Sequence, residues 1–187
     1  MSIRLLFALG FALAAPSALA DTIEEKAALC SACHGEKGAP VEAVIPIIWG
    51  QNAGYLYLQL RDFQKGARKD ERMSAIAETL SKDDLLALAE YFSAKPWPNL
   101  GQPAASGADA AAARKIDETI VCTSCHLDHY QGDASVPRTG GQQHDYLAKT
   151  MLDFRGGARA NNPGMSNLMN AASEAEVKAL AAYLAGL

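Results

Sequence analysis

Two stretches of this chain share one pattern, Cys30-Ser31-Ala32-Cys33-His34 and Cys122-Thr123-Ser124-Cys125-His126, and together they use all four of its cysteines. Cysteines three apart lie side by side on one helical face. Both sulfurs can then form thioethers to the two vinyl groups on one edge of a porphyrin. The histidine that follows is carried beneath the ring centre, where an imidazole nitrogen can bind iron. C-x-x-C-H therefore reads as a c-type haem attachment site. A disulfide, a redox dithiol and half of a zinc site are the competing readings. A redox C-x-x-C calls for a βαβ setting, and no such pattern surrounds either motif. A shared four-cysteine zinc site would leave both adjacent histidines unexplained. Two covalent haem c groups are expected, on Cys30 and Cys33 and on Cys122 and Cys125, with His34 and His126 as proximal iron ligands.

The second motif is one part of a longer repetition. Cys30, Cys33 and His34 recur 92 residues later. After a one-residue deletion the register is 91, and Gly50-Gln51, Tyr55-Leu56, Phe63, Gly66 and Arg68 recur as Gly141-Gln142, Tyr146-Leu147, Phe154, Gly157 and Arg159. It returns to 92 for Met73 and Met165, Ser81 and Ser173, Leu88 and Leu180, and Tyr91 and Tyr183. A period this long with two copies predicts two globular domains in tandem rather than a solenoid. The expected division is a first domain over 21–95, a linker over 96–108 and a second domain over 109–187. Pro96, Pro98, Pro103 and Gly101 mark the linker. Trp97 within it is expected to cap the adjacent core rather than to bridge the domains.

Each copy reads as helices. Thr22-x-x-Glu25 is a capping box that opens a helix running into the first motif. Its counterpart starts near Asp109 and carries Ile116 and Ile120 on one face. A Pro/Gly-containing loop follows, around 40–50 and 132–141. Tyr55, Leu56, Gln59, Leu60 and Phe63 then recur at helical period, as do Tyr146, Leu147, Thr150, Met151 and Phe154, the latter ending at Gly156-Gly157. The last helix of each copy opens with Ser81-x-x-Asp84 or Ser173-x-x-Glu176. Leu85, Leu88, Ala89 and Phe92, or Val177, Leu180, Ala181 and Leu184, form its apolar face. No stretch alternates convincingly, so the fold class expected is all-α.

An iron with a histidine on one side calls for a soft donor on the other. Met73 lies 39 residues beyond His34, and Met165 lies 39 beyond His126. That equal spacing favours thioether ligation over core filling. Met151 matches Leu60 and reads as core. Met169 matches Ala77 and competes with Met165. His129 and His144 have no histidine counterparts and read as surface residues, with bis-histidine ligation in copy two as the minority reading. A ligating histidine donates its other ring N–H to a carbonyl or carboxylate. Pro46 and Pro137, 12 and 11 residues beyond the histidines, stand where such a carbonyl could lie, or are plain loop formers. Tyr55, Arg68, Tyr146 and Arg159 are open to propionate contacts or to ordinary core and surface roles.

Arg4, the apolar run from Leu5 to Ala15 and Ala18-Leu19-Ala20 have the composition of a secretory signal over 1–20. An uncleaved anchor is the rival, but the run is short of the roughly 20 residues of a spanning helix and Pro16 interrupts it. Export to the periplasm is expected, with no transmembrane segment after cleavage and loose peripheral association left open. The remaining residues carry 16 basic and 21 acidic side chains. That balance, with no basic block, excludes a nucleic-acid partner. The charged stretch 61–72 reads as a solvated face, with a docking patch as the alternative.

Taken together these residues resemble the class I cytochromes c, and more closely the dihaem cytochrome c4 family, over the whole chain after the leader. Both haem motifs carry the likeness. So do Val136-Pro-Arg-Thr-Gly-Gly-Gln142, the stretch from Tyr146 to Arg155, Asn162-Pro-Gly-Met165 and the Ala-Leu-Ala-Ala-Tyr-Leu terminal helix. The resemblance implies two small helical domains packed about a pseudo-twofold axis, with haem propionates facing each other. It also implies His/Met ligation and a proline carbonyl supporting each proximal histidine. Those roles fall on His34, Met73 and Pro46, and on His126, Met165 and Pro137. Copy one departs in the apolar run from Val44 to Trp49, where Trp49 stands opposite Gly140.

Iron closed on both faces by His and Met has no position for substrate and changes oxidation state with little rearrangement. It suits one-electron transfer rather than bond chemistry. The expectation is a periplasmic electron carrier rather than an enzyme. The resemblance implies a quinol-oxidising cytochrome complex as donor and a terminal oxidase as acceptor. A haem subunit of an exported dehydrogenase, of flavocytochrome type for example, is the alternative, and a dihaem peroxidase a more distant one.

Overall fold

The computed structural model describes residues 22–187; the leader expected over 1–20 lies outside the described residues. One unit consists of α1 (Ile23–His34), α2 (Ala53–Gln64), α3 (Glu71–Glu78) and α4 (Lys82–Ser93). The other consists of α5 (Gly107–Ile120), α6 (Thr123–His126), α7 (His144–Gly156), α8 (Pro163–Ala171) and α9 (Glu174–Ala185). Helix α2 packs on α3 and α4, with α1 on α4; in the second unit α7 packs on α8 and α9, with α5 on α9. Among the described residues there is no strand, only an isolated antiparallel bridge between Asp133 and Val136. No helix among them is long and apolar enough to cross a membrane.

The capping boxes form as their sequences require: Thr22 with Glu25, Ser81 with Asp84, and Ser173 with Glu176 each exchange side-chain and backbone bonds. The helices that carry the two methionines are held in a way the pattern did not reveal. Helices this short are not stable alone, and both ends are tied down. The Asp70 carboxylate accepts from the Met73 N–H at 3.0 Å, and the Asn162 side-chain oxygen accepts from the Met165 N–H at 3.1 Å. At the far end Gln64 Nε2 donates to the carbonyls of Ala77 and Leu80 at 3.0 and 2.7 Å. In the repeat, Arg155 Nη1 donates to those of Asn170 and Ala172 at 3.1 and 2.6 Å. The methionines therefore sit in the first turn of a short helix braced from α2 or α7.

The two copies differ at the haem motif. Helix α1 runs unbroken through Cys30, Cys33 and His34. Helix α5 stops at Ile120, Val121 takes a left-handed conformation (φ 50°, ψ 57°), and the second motif continues on the short α6. Cys122 donates its N–H to the Asp117 carboxylate at 2.9 Å across that break.

The apolar faces expected of the last helices are buried: Leu85, Leu88, Ala89 and Phe92 on α4, and Val177, Leu180, Ala181 and Leu184 on α9. Met151 and Met169 lie in the second unit's core, which also contains Phe154, Val177 and Leu180. The first unit's core is smaller, built on Ala27, Leu56, Leu88, Ala89 and Phe92.

Candidate haem sites

The four cysteines stand free, so no disulfide competes for them. Burial pushes the Cys30 thiol up to about 11, and burial together with Asp117 pushes Cys122 up to about 12. Thiols held protonated are poor nucleophiles, which is the opposite of a redox dithiol. Among the described residues no group of three or more His, Cys, Asp or Glu is placed to hold a metal ion, which removes the shared zinc site.

Both motif histidines are buried. His34 Nδ1 lies 2.8 Å from the Pro46 carbonyl oxygen, and His126 Nδ1 lies 3.0 Å from that of Pro137. A carbonyl can only accept, so Nδ1 carries the proton in each ring and Nε2 is left with a free lone pair. Burial lowers the pKa of both rings, only partly opposed by the proline carbonyls. Neutral imidazoles with Nε2 unprotonated are the form that binds a metal.

A continuous cavity of about 560 Å³ runs through both units. Its walls include Cys30, Cys33, His34 and Met73 from the first, and Cys122, Cys125, His126 and Met165 from the second. Leu56, Phe63, Leu147 and Phe154 supply apolar wall, and the Thr139 hydroxyl, buried without a partner, also borders it. Paired thiols, an imidazole with a free nitrogen, a thioether and apolar walls, all twice over, fit two covalently held porphyrins. Met169 also borders the cavity but is 2 % exposed and embedded in the core, whereas Met165 is only half-buried. His129 and His144 are exposed, as expected, and His144 pairs with Asp145.

The two units meet through contacts that repeat in reverse. The Tyr55 N–H donates to the Ala134 carbonyl at 3.1 Å, and the Tyr146 N–H donates to that of Ala43 at 3.2 Å. Arg68 Nη2 donates to the Tyr146 hydroxyl at 3.1 Å, and Arg159 Nη2 donates to that of Tyr55 at 3.3 Å. Gln59 Oε1 accepts from both guanidiniums, at 3.0 and 2.8 Å, and from Asn161 at 3.1 Å. Burial alone would raise the Tyr146 phenol, but the Arg68 and Arg159 charges outweigh it and bring it down to about 7. Tyr55 is held up, by burial first and then by the charge on Tyr146. All four residues also border the cavity. The 61–72 stretch is thus not simply a solvated face: Asp62 is 6 % exposed, and Arg68 reaches into the opposite unit.

Trp97 departs from expectation. The Arg138 guanidinium lies over its ring at 4.4 Å, so it bridges the units rather than capping one core. Its place depends on two glycines. Gly50 and Gly141 are left-handed, at φ 67° and 74°. A Cβ on Gly50 would come within 2.8 Å of the Trp97 nitrogen, and one on Gly141 within 3.2 Å of the indole Nε1. Gln102, also between α4 and α5, donates to the Gln142 carbonyl at 2.9 Å and accepts from the His144 N–H at 3.0 Å. The connecting segment therefore lies against the second unit.

No family model matches the chain. It is 34% identical to cytochrome c4 of Azotobacter vinelandii over an alignment of 196 positions, gaps included, covering 95% of this chain and 92% of that one. It is 35% identical to the thiosulfate dehydrogenase electron acceptor of Stutzerimonas stutzeri, over 84% of this chain and 78% of that one. Reduced recombinant cytochrome c4 from Pseudomonas stutzeri superposes with a TM-score of 0.79 at 32% identity, covering 88% of this chain and 96% of that one. With near-complete coverage in sequence and in fold, the chain belongs to the dihaem cytochrome c4 family, an all-α protein of two tandem class I cytochrome c domains that carry two covalently bound haem c groups.

Proposed function

We propose that this dihaem electron-transfer cytochrome is a periplasmic carrier, taking one electron per haem from a quinol-oxidising cytochrome complex and delivering them to a terminal oxidase. Cys30 and Cys33 would hold one haem and Cys122 and Cys125 the other. His34 with Met73, and His126 with Met165, would close the axial positions. Iron held in this way supplies reversible one-electron oxidation and reduction, with methionine favouring the reduced state. The observation that carries the assignment is its double occurrence. In each domain a buried histidine has its Nδ1 proton committed to a proline carbonyl, and a methionine lies in the first turn of a capped short helix on the same cavity.

The chain's own residues do the rest. Pro46 and Pro137 orient the imidazoles and increase their basicity. Asp70 and Asn162 fix the turns that present the methionines. Arg68, partly buried, and Arg159, buried, stand at the domain interface and offer positive charge for propionates. The leader would be cleaved after Ala20, leaving domains at 21–95 and 109–187 joined by 96–108.

The deciding experiment replaces Met73 and Met165 singly and records spectra of the ferric, half-reduced and fully reduced protein. Each replacement should abolish the thioether–iron charge-transfer band of its own haem and lower that haem's potential. An unchanged band and potential would remove that methionine from the ligand set.

Similarity to the thiosulfate dehydrogenase electron acceptor favours a second reading, in which an exported dehydrogenase is the donor. Stopped-flow reduction separates the two. Rapid reduction by a quinol-oxidising complex supports the carrier, and rapid reduction only by thiosulfate with its dehydrogenase supports the second.

A further inference from the structure

We propose that each proximal histidine is positioned by a glutamine of the other domain: Gln142 acts on His34, and Gln51 acts on His126. The peptide group joining Pro46 to Ile47 has two ends. Its carbonyl oxygen accepts from His34 Nδ1 at 2.8 Å. Its N–H, on Ile47, donates to Gln142 Oε1 at 2.8 Å. Gln142 Nε2 in turn donates to the Ile47 carbonyl at 3.0 Å, so one side chain clamps both backbone groups of Ile47. The arrangement recurs in reverse. The Pro137 carbonyl accepts from His126 at 3.0 Å, the Arg138 N–H donates to Gln51 Oε1 at 2.8 Å, and Gln51 Nε2 donates to the Arg138 carbonyl at 2.8 Å.

Neither glutamine is free to do anything else. Gln142 is 2 % exposed and Gln51 3 %. Each amide oxygen also accepts the N–H of the next residue, Gln143 or Asn52, at 2.8 and 2.9 Å, which fixes its direction. The left-handed glycine before each, Gly50 or Gly141, turns the chain so that the side chain points across the interface.

The consequence is electronic as well as geometric. Hydrogen bonds in a chain polarise one another. An acceptor on the N–H of a peptide increases the negative charge on its carbonyl oxygen. That strengthens the bond from Nδ1–H, makes the imidazole a stronger donor and favours ferric iron. Loss of the glutamine should therefore raise the potential of the haem in the opposite domain. Docking of the domains becomes part of setting both potentials.

The inference rests on His34 and His126 being iron ligands. The test uses the intact dihaem protein with Gln142→Met or Gln51→Met, which keep length but cannot form the clamp. Each haem is followed during a redox titration by its methyl proton resonances, assigned through contacts with residues of its own domain. Gln142→Met should shift the potential of the Cys30/Cys33 haem upward and leave the Cys122/Cys125 haem in place; Gln51→Met should do the reverse. Gln142→Glu should restore the original value, because a buried carboxyl stays protonated and can both donate and accept. The proposal is overturned if the haem of the substituted residue's own domain moves, if both move equally, or if neither moves. A check without substitution is hydrogen exchange: the Ile47 and Arg138 amides should exchange as slowly as core helix amides, and fast exchange overturns the clamp. Failure of the ligand reading would show separately, as an unchanged low-spin spectrum after His34→Ala.

Discussion

Arg68 of the first domain donates to the hydroxyl of Tyr146 in the second, at 3.1 Å. The equivalents of both residues repeat that contact with the domains exchanged, as Arg159 to Tyr55. The interface is therefore self-complementary, as a twofold requires of any isologous contact. A single duplicated sequence thus supplies both faces of its own joint.

Gln59 is where that symmetry breaks, since its repeat position is Thr150 and its amide oxygen serves both arginines. Gln59→Leu should cost more than Tyr146→Phe or Tyr55→Phe. A hydrogen bond to a charged group contributes about 1.5–3 kcal/mol, and Gln59 serves two such groups. Denaturant titration of the three variants checks the order, and equal costs would refute it.

Asp70 and Asn162 each accept the N–H of the methionine three residues on. Asp70→Ala and Asn162→Ala should each lower stability by about 1 kcal/mol, the usual worth of such a cap. Each should also weaken the thioether charge-transfer band of its own domain alone. Thermal melts and ferric spectra read the two effects together.

Lys26 Nζ donates to Asp84 at 2.6 Å and ties α1 to α4. The bond from Lys26, then those from Ser81, hold the Asp84 carboxyl down to about 2, below the roughly 3.9 of an unfolded aspartate. A depressed carboxyl stabilises the fold fully above about pH 4, and that contribution is lost as pH falls through about 2. Lys26→Met should accordingly melt earlier than the parent at pH 6, with the gap closing as pH falls to 2. A gap that persists unchanged at pH 2 would show that the pair is not its source. The second domain has Glu118 where Lys26 stands, so it lacks the ion pair; the Ser173 capping bonds still lower the Glu176 carboxyl, and only that smaller part of the acid dependence should remain there.

Val121 is 51% exposed and left-handed, a conformation that costs a β-branched residue about 1–3 kcal/mol. Asparagine tolerates that region. Val121→Asn should raise the melting temperature, because the half-exposed side chain gives up little packing. A lower melting temperature would mean that the valine is held by contacts worth more than its strain.

Covalent spacing and local pattern determined much of this protein from the sequence alone. Cys-x-x-Cys-His states its chemistry within five residues, the capping boxes act over three, and the apolar faces of α4 and α9 follow from helical period. The equal interval from histidine to methionine needed only the duplication to be seen. What tertiary structure decided lies between distant residues whose types are unremarkable in line. Gln51 and Gln142 were visible as repeats, but their partners are 87 and 95 residues away. Repetition within a chain cannot say that a residue serves the other copy rather than its own. Trp97 and Arg68 read as local features for the same reason. Only the docking of two like surfaces, where a buried polar group must find a partner or lose its hydration unrecovered, could assign them to the joint between the haem domains.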